Sequence, residues 1–544
     1  MARIERQSKR EYPVRFTPRG LVDALDATDK FPGACIVMTD LIFDQSNPEL
    51  LVARPGVGSP LTSFSSFANP GVISVQTTIG DVTYGLIAST ANVGKDEPFA
   101  WNNATNAFVP VTNVTNANTP LTPASTGAWT PPTMANVGVN LIVTHPGFPG
   151  GATKFGWFDI TNPAAPVWNA GDTATNGLTA TPSAVQNFNN RAYFSVANTL
   201  QYTDVLSLTR TASTQSLTIG DTANVTALSG LPIQTTSSGV AQALIVFKAF
   251  QVWQITGDPV GGTLAQNYLS LTIGTSAPRS VWQSPFGIYF IAVGGPYIVD
   301  QMGLVRPVIH DGNALEPDLQ APFENAVVPS RAAGAYVASI YRVSLETIIR
   351  GTDSVNDYWF DEHRRRWTGP HSFSFDCASQ YGNYLIINSN AHPGKLYKSQ
   401  VLPDLTSAYN DDGTTIMGTM QSSTFPKEGS MTQKQMVEST QELSAAGVAT
   451  TYTVTAQDDQ QNTLNQAQIM VSNAGVVWGS NVWGDGSRWA SGTNRPRVYN
   501  VPWTAPVVFQ KMSLQIQASA TSALAVGSFY GRYQQTGYTN VPNP

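Results

Sequence analysis

Charged side chains are scarce in this sequence. Lys, Arg, Asp and Glu make up 12% of its 544 residues, which is about half of the usual share. The shortage does not indicate disorder, because a hydrophobic content of 42% and an aromatic content of 10% are enough to build cores. A largely uncharged polar surface instead favours a subunit that packs against neighbouring subunits.

Cysteines and long apolar runs are also lacking. Cys35 and Cys377 are the only cysteines, which excludes a disulfide framework and a zinc site built from cysteines. No apolar run is long enough to form a membrane-spanning helix, and the N-terminal segment lacks the apolar part of a secretory signal. The sequence therefore predicts a protein without a membrane anchor that is made in the cytoplasm.

Motifs of enzymes and cofactor sites are missing as well. The sequence contains no HExxH, P-loop, GxGxxG, CxxC or GxSxG pattern. Its five histidines are scattered among residues typical of loops. We therefore predict no catalytic residue, no cofactor-binding residue and no metal ligand, and we expect that the protein is not an enzyme.

The densest charged cluster lies at residues 361–366, where Asp-Glu is followed by His363 and three arginines. As a site, this cluster would bind a phosphate or a carboxylate. Alternatively, it is a hairpin loop between the aromatic segment 358–360 and Trp367, and its charges of both signs pair locally.

Short β-branched and aromatic runs are what the sequence has instead, and residues 287–308 show them most clearly. Residues 287–293 form one run, Gly294-Gly295 supplies a tight turn, and residues 296–300 and 304–308 form two more runs. This pattern predicts a three-stranded antiparallel meander. Both faces of its first strand are apolar, so the meander must lie between other sheets.

Similar runs recur along the chain. In one pair of matched segments the later landmarks repeat at a single fixed spacing, which favours a β-propeller or another array over a single sandwich. We predict an all-β protein with a β-propeller of about six to seven small meander blades. The matched segments are 86–89, 99–101 and 105–106 in the first copy, and 141–144, 155–157 and 161–162 in the second.

Composition also suggests three domains. We predict an N-terminal extended arm with docking strands at residues 1–55, a propeller at 56–410 and a C-terminal β-sandwich at 411–544. In the last of these, residues 430–446 are predicted to form a polar strand. Strict alternation from Met512 to Ala518 predicts a half-buried strand.

The N-terminal arm is basic, whereas the rest of the chain is acidic. Residues 1–20 carry a balance of +4, and the remaining 24 basic and 34 acidic residues give −10. This asymmetry predicts that the arm docks on an acidic partner surface; the alternative is a frayed terminus without a role. The docking candidates are Arg3, Arg6, Lys9, Arg10, Arg15 and Arg19.

Several segments carry a resemblance to a known family. They resemble the tail nozzle proteins of short-tailed bacteriophages, also described as the tail hub or packaged-DNA-stabilisation family. No single motif in them is specific, and none is catalytic. The segments are 20–28, 31–34 and 54–56 near the N-terminus, 277–281 with 287–290 in the middle, and 501–503, 507–509 and 530–534 near the C-terminus.

This resemblance implies a virion structural protein. Six copies would form a tube below the portal and the adaptor ring, hold packaged DNA in, and conduct it during ejection. The implied partners are the adaptor ring, other tail proteins such as fibres or spikes, and double-stranded phage DNA in transient, non-specific contact. The implied location is the virion tail, after synthesis in the cytoplasm of the host bacterium.

Two further expectations concern function. The alternative function is a propeller-type receptor-binding or glycan-active tail protein, which would require paired carboxylates beside stacked aromatic rings. Asp and Glu fall mostly one at a time in turns, which favours the structural role. Since each phosphate contact adds salt-dependent affinity, we also predict a DNA channel lined by uncharged polar and acidic groups.

Overall fold

The structure is a computed structural model. It describes residues 11–22, 33–63, 70–89, 95–114, 132–148, 153–171, 177–235, 239–259, 261–309, 319–349, 352–389, 391–403, 407–426, 432–445, 449–471, 496–520 and 523–538. Their regular secondary structure is almost entirely β-strand, with one short α-helix at Ala321–Glu324 and 3-10 turns at Pro278–Ser280 and Pro329–Arg331. The predicted all-β class is confirmed.

The strands are numbered in chain order. The N-terminal strands are β1 (Glu11–Phe16), β2 (Gly20–Leu21), β3 (Ala34–Thr39), β4 (Leu41–Phe43), β5 (Leu51–Ala53) and β6 (Thr62–Ser63). The next are β7 (Pro70–Ile79), β8 (Val82–Ser89), β9 (Lys95–Asn102), β10 (Ala107–Val109), β11 (Thr133–Val137), β12 (Asn140–Thr144), β13 (Gly156–Asp159), β14 (Val167–Ala170), β15 (Ala184–Phe188), β16 (Arg191–Val196), β17 (Thr199–Tyr202) and β18 (Ser216–Thr218). They are followed by β19 (Val225–Thr235), β20 (Gly239–Lys248), β21 (Val252–Thr256), β22 (Ala265–Ser270), β23 (Trp282–Ser284), β24 (Gly287–Ala292), β25 (Gly295–Asp300), β26 (Val305–Pro307), β27 (Ala333–Val337), β28 (Ile340–Ile349), β29 (Thr352–Asp361), β30 (Arg366–His371), β31 (Cys377–Tyr381), β32 (Tyr384–Asn388) and β33 (Lys395–Gln400). The C-terminal strands are β34 (Asn410–Asp411), β35 (Thr414–Ser422), β36 (Thr432–Ala445), β37 (Thr450–Gln457), β38 (Thr463–Val471), β39 (Arg497–Asn500), β40 (Val508–Phe509), β41 (Ser513–Ala520) and β42 (Leu524–Tyr538).

The chain forms two compact units. Unit 1 contains Met1–Gly58, Tyr358–Phe373 and Leu402–Pro544, and unit 2 contains Ser59–Asp357 and Ser374–Val401. Residues 1–55 and 411–544 are predicted to form separate domains, whereas unit 1 contains strands from both. The reason is that β1 pairs with β42 and β3 pairs with β35, and no local pattern marks such distant partners.

Unit 2 is a β-propeller. Six four-stranded antiparallel sheets serve as its blades: β7–β10, β11–β14, β15–β18, β19–β22, β23–β26, and β31–β33 together with β6. The first strands of successive blades contact one another, and β31 contacts β7, so the circle is closed. The paired strands β27 and β28 complete the circle between β23 and β31. The predicted propeller of about six to seven blades is confirmed.

The last blade is completed by a strand from before the first blade. Strand β6 pairs antiparallel with β33, and the Leu61 backbone N–H donates to the Leu396 carbonyl at 2.7 Å. Because β6 and β33 come from the two ends of the propeller sequence, their pairing joins the first blade to the last.

The meander predicted at residues 287–308 corresponds to β24–β26, and β23 adds a fourth strand. One face of β24 places Ile288 and Phe290 in a core with Phe247 of the preceding blade. The other face stacks the ring of Tyr289 on Tyr341, with ring centres 4.7 Å apart. Both faces are therefore covered, as the apolar pattern predicts.

The repeat found in the sequence corresponds to strands of two successive blades, but its matched side chains contact different neighbouring blades. Phe99 and Trp101 pack against the blade β31–β33, which precedes theirs in the circle. The matched residues Phe155 and Trp157 pack toward β15–β18, the blade that follows theirs. In a strand, a shift of one residue moves every side chain to the other face of the sheet. The fixed spacing in the sequence therefore matches residues that point toward different neighbouring blades.

The segment 277–281, which carries part of the family resemblance, joins three blades. It contains the turn Pro278–Ser280, and the guanidinium of Arg279 is buried. Arg279 Nη1 donates to the Asp376 carbonyl at 2.8 Å, and Nη2 donates to the Arg331 carbonyl at 2.6 Å. These carbonyls lie just before β31 and β27, so one arginine holds the connections that lead into β23, β27 and β31.

Unit 1 contains two packed sheets. One runs in the order β39-β36-β42-β5-β4, with β1 on β42 and β40 on β36, and the other contains β30-β2-β3-β35-β41-β37-β38 in that order. The strands predicted at residues 430–446 and 512–518 are β36 and β41. Leu514, Ile516 and Ala518 of β41 are buried, and Tyr452 Oη donates to the Ala525 carbonyl of the other sheet at 3.2 Å.

A buried arginine lies at the centre of unit 1. Arg54 is only 2% exposed, and all five of its N–H donors are used. Nε donates to Asp40 Oδ1 at 2.7 Å, Nη1 donates to the Pro55 carbonyl and to Asp411 Oδ1, and Nη2 donates to Ser372 Oγ and Asp411 Oδ2.

Burial alone would lower the pKa of Arg54, but the carboxylates of Asp40 and Asp411 more than offset it, and the net shift is upward. Arg54 therefore remains a cation, and it joins the end of β5 to Asp411 at the end of β34 and to Ser372, the residue that follows β30.

Candidate functional site

Two of the six predicted docking residues lie in the described part of the chain. Arg15 lies on β1, where its Nη2 is 3.1 Å from Glu49 Oε2 and its guanidinium lies over the ring of Tyr530. Both charges of this pair are more than half exposed, so the pair contributes little stability. Arg19 is exposed and follows β1. The other candidates, Arg3, Arg6, Lys9 and Arg10, lie outside the described residues.

The arginines at residues 364–366 form a hairpin turn between β29 and β30. Arg364 Nη1 lies 2.7 Å from Asp361 Oδ2, so the predicted hairpin with local charge pairing is confirmed. Arg366 is half-buried, and its guanidinium lies 5.4 Å from the ring centre of Phe43.

Arg19 lies close enough to this turn to affect its electrostatics. Burial lowers the pKa of Arg366, and the positive charges of Arg19 and Arg364 lower it further. Among the described residues, neither Arg19 nor Arg366 forms an ion pair. We call Arg19, Arg364 and Arg366 the arginine patch. Both basic segments are evident in the sequence, but their proximity is not, because they lie far apart in the chain.

A second surface in unit 1 carries no charge. The four neighbouring strands β35, β41, β37 and β38 contain no Asp, Glu, Lys or Arg. Most of their apolar side chains face the core, whereas the opposite face carries amide and hydroxyl side chains in cross-strand rows together with the exposed Met417 and Met470. We call this opposite face the uncharged face. Its rows are Gln421, Gln515, Thr455 and Gln466; Thr419, Gln517, Thr453 and Gln468; Met417 with Ser519; and Thr451 with Met470.

Hydrogen bonds within these rows use some of the amide groups. Gln421 Nε2 donates to Gln457 Oε1 at 2.9 Å, and Gln466 Nε2 donates to Thr455 Oγ1 at 3.4 Å. Thr451, Gln466 and Gln468 are exposed, whereas Thr419, Gln421 and Thr455 are buried. The alternation of Gln and Ser with apolar residues in β41 is the sequence signal that identifies this face.

Unit 2 contains a cavity of about 170 Å³ beside Phe375. Its two carboxylates already have cationic neighbours: Glu346 lies 3.8 Å from Arg331, and Asp376 lies 4.0 Å from Arg279. The ring of Phe375 is only 2% exposed. The cavity therefore lacks the free carboxylate pair and the exposed aromatic face that a glycan-cleaving site requires.

Within the described ranges, no group of three or more His, Cys, Asp or Glu side chains is arranged to hold a metal ion. The helix found in those ranges is far too short to span a membrane. Cys35 and Cys377 are both buried.

The comparisons give no family. No family model matches the sequence, and no curated protein matches it. Similar solved structures include the BBS1N chain in complex with ARL6DN, at 9% identity and a TM-score of 0.36, covering 64% of this chain and 96% of that one. Another is a puromycin hydrolase variant, at 11% identity and a TM-score of 0.37, covering 68% of this chain and 61% of that one. A third is an exo-beta-1,3-galactanase from Phanerochaete chrysosporium, at 7% identity and a TM-score of 0.23, covering 88% of this chain and 100% of that one. None of these values bears on activity.

Proposed function

We propose that this chain is a structural subunit of the tail nozzle of a short-tailed bacteriophage and not an enzyme. Six copies form a ring in the virion tail that retains packaged DNA and then conducts it. The uncharged face is the observation that carries the proposal. The closed propeller and the resemblance of the segments near residues 20, 280 and 530 support it.

The uncharged face suits a surface along which DNA must move. Each phosphate that a Lys or Arg neutralises releases counterions and adds affinity, so a channel rich in basic residues would slow ejection. Four adjacent strands without a charged residue offer a polyanion hydrogen-bonding groups but no cation to hold it. Contacts with DNA are therefore weak and independent of base sequence, since the face does not enter a groove.

The arginine patch extends the basic surface through which the N-terminal segment docks on an acidic partner. The exposed Arg19 and the half-buried Arg366 add positive charge that no described carboxylate pairs with. An acidic adaptor surface fits this patch, and residues 1–10 add four further basic side chains. Residues 11–16 form β1, and Phe16 is buried, so a deletion that spares the fold ends at residue 10.

The alternative, a receptor-binding or glycan-active tail protein, draws no support from the cavity beside Phe375. Its acidic groups have cationic neighbours, and its aromatic ring is covered by the guanidinium of Arg342 at 5.0 Å.

The copy number tests the proposed ring. We expect native mass spectrometry of intact tails to find six copies per particle, because identical head-to-tail contacts close into cyclic rings. Class averages from electron microscopy should show the same sixfold symmetry. One or three copies per particle would contradict the proposal.

Lysines placed on the uncharged face test the channel. The purified chain without residues 1–10 should bind duplex DNA no more tightly than about 0.1 mM at physiological salt, with a shallow salt dependence. In virions, we expect the triple variant Thr451→Lys, Gln517→Lys and Ser519→Lys to slow triggered DNA release on the order of tenfold or more, because each added cation can neutralise a phosphate.

The matched control carries three lysines at exposed blade positions, Ala104 and Ala164 on turns and Ala107 at the start of the edge strand β10. It should release DNA at the wild-type rate. Equal slowing by both triple variants, or by neither, would show that the uncharged face does not line the channel. Tight binding of the purified chain with a steep salt slope would instead indicate a protein that grips DNA.

A further inference from the structure

The cavity beside Phe375 lies within unit 2 and is lined by two opposite charges that are only loosely paired. Arg331 Nη1 is 3.8 Å from Glu346 Oε2, whereas a guanidinium that donates to a carboxylate lies about 2.7–2.9 Å from it. The two side chains are 30% and 32% exposed. Neither charged group forms a hydrogen bond with another described residue, so N–H donors and carboxylate oxygens remain available at the cavity wall.

Two serine hydroxyls add hydrogen-bonding capacity to this wall. Ser344 Oγ accepts from the Phe375 backbone N–H at 3.1 Å, and Ser389 Oγ accepts from the Ala391 backbone N–H at 3.3 Å. Each hydroxyl also carries a donor, and in the part of the chain that the structure describes neither donor has a protein acceptor. Ser344 is 3% exposed and Ser389 is 4% exposed. Because buried polar groups are normally hydrogen-bonded, these donors require an acceptor inside the cavity.

The main chain that carries the charged pair is fixed by hydrogen bonds of its own. The Arg331 carbonyl accepts from Arg279 Nη2 at 2.6 Å, and the Glu346 carbonyl accepts from the Val327 backbone N–H at 2.9 Å. Arg331 ends the 3-10 turn, and Glu346 lies on β28. Both charges are therefore held by ordered backbone before a ligand arrives, which lowers the entropic cost of binding.

Charge and volume limit what the cavity holds. Arg331 and Arg279 balance Glu346 and Asp376, so the charged groups around the cavity favour a ligand without net charge. The cavity has a volume of about 170 Å³. Since a cavity of about 150 Å³ holds benzene, a ligand of roughly six to ten non-hydrogen atoms fits here.

We propose that this cavity binds an α-amino acid with a short aliphatic side chain. Arg331 donates to the carboxylate of the ligand, which the planar guanidinium matches in shape, and Glu346 accepts from its ammonium group. A single carbon atom separates the two charges of an α-amino acid, which suits a site whose own charges are 3.8 Å apart. The serine hydroxyls donate to the carboxylate, and Leu345 and Val355 supply apolar wall for the side chain. This inference does not depend on the proposed ring.

Isothermal titration calorimetry of the purified full chain tests the site. L-Valine should bind with a dissociation constant of about 1 mM or lower. Three related probes test the charges: N-acetyl-L-valine lacks the ammonium group, L-valinamide lacks the carboxylate, and 4-aminobutyrate carries both charges farther apart. Each should bind at least about tenfold more weakly, because a charged group of the wall is then left without its partner.

The other outcomes of this titration would overturn the proposal. Equal binding of N-acetyl-L-valine would indicate a simple anion site, and equal binding of L-valinamide would indicate a cation site. Equal binding of 4-aminobutyrate would show that the spacing of the charges is not recognised. No binding of L-valine would show that the cavity holds only water.

Three variants test the residues of the wall. Arg331→Gln and Glu346→Gln each remove one charge at a partly exposed position, and Ala391→Leu keeps every charge but occupies part of the cavity. We expect each to weaken L-valine binding at least about tenfold with an unchanged melting temperature of the free chain. The matched control is Arg306→Gln, which removes an exposed ion pair with Asp300 elsewhere in unit 2 and should bind L-valine as the wild type does. Wild-type affinity in any of the three cavity variants would overturn the proposed site.

Discussion

Arg54→Met is expected to reduce the free energy of unfolding by about 3–5 kcal/mol. The substitution removes the cation that Asp40 and Asp411 share and leaves both carboxylates buried without it. It also removes the hydrogen bonds to Ser372 and to the Pro55 carbonyl. Urea unfolding of the purified chain, followed by tryptophan fluorescence, measures the loss.

The matched control is Arg15→Met, which breaks an ion pair of the same unit at an exposed position. It should cost no more than about 1 kcal/mol. The triple variant with Arg54→Met, Asp40→Asn and Asp411→Asn should recover part of the loss, because no unpaired charge then remains buried. A cost for Arg54→Met as small as that for Arg15→Met would contradict the central role of this arginine.

Trp168→Ala is expected to cost about 3–5 kcal/mol in the propeller. Trp168 on β14 is fully buried, and its ring centre lies 5.0 Å from that of Phe158 in the core between the first two blades. The indole fills the space beside Gly156, where an added Cβ would lie 2.4 Å from the ring. Thermal and urea unfolding measure the effect.

A double-mutant cycle tests the contact itself. Gly156→Ala alone should cost about 1–3 kcal/mol, because the methyl group overlaps the indole. In the Trp168→Ala background the same methyl group has room, so Gly156→Ala should cost less by more than about 1 kcal/mol. Additive costs would show that the indole does not occupy this space.

Local patterns explain why much of the propeller could be predicted. In residues 287–308, β-branched and aromatic runs separated by glycine-containing turns specify strands and turns with no help from the rest of the chain. The alternation in β41 likewise specifies which of its faces is buried. These features depend on neighbours within a few residues, which a single sequence displays.

Long-range features could not be predicted in the same way. The blade that Phe99 or Phe155 contacts depends on a register shift of one residue between blades, and composition does not reveal such a shift. The proximity of Arg19 to Arg366 depends on the pairing of β2 with β30, whose residues lie far apart in the chain. The segment 54–56, used for the family resemblance, contains Arg54 and Gly56, but nothing local shows that the first binds Asp411 or that the second lies against Asn410.

The pairing of β1 with β42 also sets the order in which the two units can be completed during translation. The propeller has all its strands once β33 has left the ribosome, whereas β1 must wait for β42. At about 5–20 residues per second the wait of β1 is roughly 30 to 100 s. The sheet that contains β2 and β3 is incomplete for nearly as long as β1 is unpaired, because β41 joins β37 and β38 to it. The uncharged face, which requires β41, is therefore completed only after the propeller has all its strands.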